Sequence, residues 1–126
     1  MNEQDLRKKE AAFWLEYGEK LATDIRYGAA LAATEKAIAL DETNVEARYL
    51  KGTCLAMEAR YGEALAEFEH VLRLDITYVP AWDGKAWVLG ILGKKDEALL
   101  AVNKALELDP NYYQAQKRKE RIEAMQ

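Results

Sequence analysis

Apolar residues Ala98, Leu99, Val102, Ala105 and Leu106 fall at i, i+1, i+4, i+7 and i+8, a spacing that gathers them on one face only in a helix. The same pattern occurs at Ala64, Leu65, Phe68, Val71 and Leu72, and again at Ala30, Leu31, Thr34, Ala37 and Ile38. Each of these segments follows another helical stretch of about a dozen residues, over 11–23, 45–58 and 79–92. The pattern therefore predicts three helix pairs in series.

The Ala-Leu pairs and the aspartates Asp41, Asp75 and Asp109 recur at an ungapped interval of 34 residues, which marks a repeat protein. Asn44, Thr77 and Asn111 are candidate N-caps, since a short polar side chain can accept a bond from a free backbone N–H. Gly93 suits a left-handed turn between the helices of the third pair, where Ile25 and Ala59 are less comfortable counterparts. Pro110 stops the last repeated helix, and Glu42 and Ile76 at equivalent sites predict softer stops. Residues 113–126 read as one more helix, with a thin stripe of Ala115, Ile122 and Met125 and a charged remainder. Such a helix covers the last pair and meets water.

Composition narrows the function classes. With 126 residues, half of them hydrophobic, the chain can bury a core without staples, and a single domain over 1–126 is the expectation. The net charge of -4 gives no bulk attraction to nucleic acid or an anionic membrane. The charged opening from Met1 to Glu10 is no secretory leader, and no apolar stretch approaches spanning length, which points to a cytoplasmic protein. The single cysteine, Cys54, fits a reducing compartment. Met1 and the terminal helix would suit a complete small protein.

These features resemble the tetratricopeptide repeat family over nearly the whole chain, with repeats at 11–44, 45–78 and 79–112 and a capping helix at 113–126. The resemblance is carried by Trp82, Ala98, Val102, Ala105 and Pro110 in the third repeat. In the second it rests on Gly52, Tyr61, Ala64, Phe68 and Val71, and in the first on Trp14, Gly18, Tyr27, Ala30 and Ala37. No repeat is complete: Arg48 stands at the tryptophan position, Lys51 and Lys85 at a leucine position, and Ala86 at the small glycine. Gly18, Gly52 and Ala86 are expected to let the facing helix approach closely.

The family resemblance implies an all-α, right-handed α-solenoid of three helix-turn-helix repeats plus the C-terminal capping helix. Its first helices would line a peptide-binding groove through Ala12, Leu15, Glu19, Tyr49, Thr53, Asp83, Trp87, Lys117 and Arg121, in a row that also takes in Glu46, Pro80 and Gln114. Trp87 would anchor a partner side chain unless the terminal helix packs on it. One subclass of the family grips acidic chaperone tails with basic and amide side chains. The matching sites here hold Leu15, Glu19, Leu50, Pro80 and Gly84, none of which donates to a carboxylate from its side chain. Glu19 and Asp83 would instead suit a basic or amide ligand.

Candidate chemistry is thin. His70 and Cys54 lie on different helices, His70 off its apolar stripe, so neither a nucleophile pair nor a metal cluster is expected. The abundant carboxylates read as wet helix faces, and the basic runs 7–9 and 117–121 are flanked by acids without interleaved aromatics. The expectation is a non-enzymatic protein-interaction module with no cofactor. Self-association through Leu6 and Phe13 is the alternative, and small-molecule or nucleic-acid binding a weak third.

Overall fold

The computed structural model describes residues 1–126 and contains seven α-helices and no strand. They are α1 (Glu3–Thr23), α2 (Tyr27–Leu40), α3 (Val45–Met57), α4 (Tyr61–Leu74), α5 (Val79–Ile91), α6 (Lys95–Leu108) and α7 (Tyr113–Glu123). The all-α expectation holds, with predicted ends within a few residues except at α1. That helix starts eight residues before position 11, because the Asn2 side chain accepts from the Asp5 N–H at 2.8 Å and caps a further two turns. The chain divides into two compact units, Met1–Glu67 and Phe68–Gln126, with the division inside α4.

In the first unit Leu15, Ala37 and Ala47 are buried together, with Trp14, Ile38 and Leu50 packed against them. A Cβ on Gly18 would lie 3.3 Å from Leu50 Cδ2 and 3.4 Å from the Ala33 Cβ, so the bare glycine is what lets α1 come this near its neighbours. In the second unit the core holds Phe68, Val71, Val88, Leu89 and Val102 at 0–1% exposure. Ala115 and Ile122 of α7 are buried, as the apolar stripe predicts, while Met125 lies past the helix end.

The turns inside the pairs repeat one geometry. Ile25, Ala59 and Gly93 all have positive φ, 62°, 61° and 77°. The N–H of the following residue, Arg26, Arg60 or Lys94, reaches back to the carbonyl of Leu21, Leu55 or Leu89 at 2.8–2.9 Å. This is the Schellman end, which glycine enters without a steric cost and a β-branched residue does not. The left-handed conformation costs an L-residue about 1–2 kcal/mol, and glycine gives back about 0.5–1 of that through its freer unfolded chain. Ile25 is 72% exposed and gives up little packing. Ile25→Gly should therefore raise the unfolding free energy by about 0.5–1 kcal/mol in urea titration, whereas Gly93→Ala should lower it.

The stops between pairs differ from expectation. All three repeated helices end on the matching leucine, Leu40, Leu74 or Leu108, with or without proline. The aspartate that follows makes the turn: Asp41 Oδ1 accepts from the Thr43 N–H, Asp75 Oδ1 from the Thr77 N–H and Asp109 Oδ1 from the Asn111 N–H, at 3.0–3.2 Å. Thr43 and Thr77 add their hydroxyls at 2.8 and 2.7 Å. The Thr77 hydroxyl first, then its backbone N–H, hold the Asp75 carboxyl below its ordinary range. Asn44 caps α3 as expected, accepting from the Ala47 N–H at 3.0 Å. Thr77 and Asn111 do not cap; they serve the aspartate turn, and Tyr78 and Tyr112 occupy the cap positions.

One residue after each of these aspartates, a side chain from the next helix clasps the loop. Arg48 Nε donates to the Glu42 carbonyl at 3.2 Å, Trp82 Nε1 to Ile76 at 2.8 Å and Gln116 Nε2 to Pro110 at 2.7 Å. The three positions lie 34 residues apart. Arg48 is tolerated in place of tryptophan because it supplies the same donor.

Candidate functional site

In the first unit Ala12 and Glu19 are exposed on α1, and Tyr49 and Thr53 are half-buried on α3, where the Thr53 hydroxyl donates to the Tyr49 carbonyl at 3.1 Å. Leu15 departs from the expected row. Only 8% exposed, it belongs to the core with Ala37 and Ala47, because its position on α1 is the one the helix pair uses for packing. Glu46 is exposed.

In the second unit Asp83 is 5% exposed and bound to Arg118 of α7, whose Nε donates to Oδ1 at 2.6 Å and Nη2 to Oδ2 at 3.1 Å. A two-bond fork satisfies both carboxylate oxygens, so Asp83 offers no free charge to a basic ligand. The same guanidinium lies 5.8 Å from the Trp87 ring, placing a cation on a half-buried indole. The terminal helix thus takes up part of the face of Trp87. Lys117 and Arg121 remain exposed, with Lys117 Nζ 3.7 Å from Glu120 and 5.6 Å from the Tyr113 ring.

Arg118 is the residue that sequence reasoning passed over, since it sits in a basic run read as solvated. The signal was present: Ala115, Arg118 and Ile122 are spaced i, i+3 and i+7, which puts Arg118 on the buried stripe of α7. Lys95 also turns inward, donating to the Glu123 and Met125 carbonyls at 3.3 and 2.7 Å and so binding the end of α7.

Cys54 is fully buried, and burial first, then nearby Glu58, pushes its thiol up to about 11, which keeps it protonated and inert at neutral pH. His70 is half-buried on α4. No three of the His, Cys, Asp and Glu side chains are grouped to hold a metal ion, and no helix is long and apolar enough to cross a membrane.

Helix pairs at a fixed interval, closed by the same turn and clasp each time, define a helical-repeat protein. Residues 79–112 match the family model described as tetratricopeptide repeat. That segment is a tetratricopeptide repeat, and the chain carries the fold of the family's domains. The Arabidopsis OM64 TPR domain is similar at 17% identity, with a TM-score of 0.89 over 93% of this chain and 97% of that one. The first TPR of Spaghetti (RPAP3), bound to the HSP90 peptide SRMEEVD, is similar at 21% identity and a TM-score of 0.87, over 92% of both chains. YrrB, a TPR protein with an unusual peptide-binding site, shares 25% identity at a TM-score of 0.82, over 93% of this chain and 64% of that one. No curated protein sequence matches the chain.

Proposed function

We propose that the chain is a protein-interaction module, not an enzyme, which binds a peptide segment of a partner through side chains of its first helices. The carrying observation is that Tyr49 in one unit and Trp87 in the other are aromatic residues of first helices that stay only half-buried, while Ala47 on the same helix as Tyr49 and Ala86 and Val88 beside Trp87 are buried. Amphipathic rings in that state are favoured anchors at interfaces. Glu19 and Thr53 in the first unit, and Lys117 and Arg121 in the second, are the polar side chains that would complete the contact. The fold shared with peptide-bound domains supports the reading.

The ligand differs in kind from SRMEEVD, the peptide held by Spaghetti. Leu15 is buried, Gly84 backs onto the Phe68 ring and Glu19 is acidic, so these positions present no donors to a carboxylate. A peptide array probed with labelled protein should give spots that Tyr49→Ala and Trp87→Ala weaken about tenfold or more, the range of an interface hot spot. Unchanged binding in both variants would remove the proposal. A second reading, self-association, rests on Phe13 and Tyr17, 61% and 46% exposed with rings stacked at 6.5 Å. Light scattering across protein concentrations separates it from a monomeric receptor.

A further inference from the structure

The face of α5 that carries Trp82, Lys85 and Leu89 is separate from the one carrying Asp83 and Trp87, since successive helical residues turn by about 100°. Together with Leu100, Ala101 and Lys104 of α6 it lines a crevice of about 300 Å³. The lining positions have counterparts 34 residues earlier, where Arg48, Lys51 and Leu55 correspond to Trp82, Lys85 and Leu89, and Glu67 corresponds to Ala101.

At those earlier positions Glu67 is the group that meets the lysine. Its Oε1 lies 3.4 Å from Lys51 Nζ and its Oε2 3.5 Å from Arg48 Nη1, with side-chain exposures of 14–24% for the three groups. In the third repeat the lysine is kept and the carboxylate at the Glu67 position is gone. Alanine replaces the glutamate, and an indole replaces the guanidinium. The Trp82 N–H is taken by the Ile76 carbonyl, so the indole brings no free donor to the crevice, and Lys85 Nζ lies 5.7 Å from the ring. Glu97 lines the crevice and Glu69 shares the lining of the adjoining pocket with Lys85, and no carboxylate lies within ion-pair distance of that lysine. Leu100, 73% exposed, forms an apolar rim. The first repeat carries Tyr17 and Ala33 in the same register and has no such lysine.

We propose that this crevice is a binding site for a glutamate side chain borne on a partner polypeptide, seated with its carboxylate on Lys85 and an adjoining apolar side chain against Trp82 and Leu100. The occupant is the group that the chain itself supplies one repeat earlier, and the charge it would meet is the one left unmatched. A crevice of this size stands at the small end of ligand sites and takes one or two side chains.

The test is a proton–nitrogen NMR titration with the blocked tripeptide acetyl-Leu-Glu-Leu-amide at millimolar concentration, beside its glutamine twin and hexanoate. The glutamate peptide should shift the Trp82 indole N–H and the Leu89 and Ala101 amides, with the glutamine twin about tenfold weaker, as loss of a charged partner implies. Ala101→Glu should supply the carboxylate internally and abolish the response. Lys85→Gln, which adds no bulk, should reduce the glutamate peptide to the level of its twin. Equal binding of both peptides, an unchanged response in either variant, or no shifts at all would overturn the proposal. Hexanoate binding as tightly as the peptide would overturn the polypeptide source.

Discussion

Phe68→Ala should lower the unfolding free energy by about 3–5 kcal/mol, the loss expected when a fully buried ring is removed and its space only partly closes. Phe68 is 0% exposed, and three of its ring carbons lie 2.8–3.0 Å from where a Cβ on Gly84 would stand. The ring therefore occupies the side-chain space of its α5 neighbour, and truncating it leaves a void bordered by a glycine that cannot fill it. Gly84→Ala alone should destabilise by about 1–3 kcal/mol through overpacking. Combined with Phe68→Ala, the new methyl group has room, and the double variant should be more stable than Phe68→Ala alone. Urea unfolding of the four proteins decides. A Phe68→Ala loss below about 1.5 kcal/mol would mean that the ring is not packed as described.

Arg118→Met should cost about 3 kcal/mol, because it leaves Asp83 buried without its fork of donors. Arg118 is itself only 20% exposed, so solvent screening reduces this effect little. The same argument predicts that Asp83→Leu together with Arg118→Met recovers most of the loss, since a buried pair replaced on both sides is often neutral. Additive losses in the double variant would show that the two side chains act independently and that the fork carries no coupling.

The helix pairs were legible because a 34-residue interval and an i, i+4 apolar pattern are properties of spacing alone. The left-handed turns were legible at Gly93, and its register carried the assignment to Ile25 and Ala59 despite their unsuitable side chains. Three things were not. The first two turns of α1 have no apolar stripe, and only Asn2 signalled them. The role of the aspartates was hidden because a side chain that bonds its own loop leaves no periodic trace beyond its recurrence. In the candidate site, reading one row of positions along the first helices gave Leu15 and Asp83 to a ligand. Packing claimed the leucine, and an arginine next to the predicted row claimed the carboxylate. Which inward position a protein spends on itself depends on the partner across the gap, and a single-helix pattern does not contain that partner.

The loop clasp has a consequence for how a repeat is recognised. Tryptophan, arginine and glutamine differ in size, charge and aromaticity, yet each delivers one N–H to the carbonyl at the equivalent loop position. A site that needs only a single proton donor can exchange nearly everything else about the residue and keep its loop closed. A copy that has traded its indole away looks foreign to residue-by-residue matching while closing its loop as before.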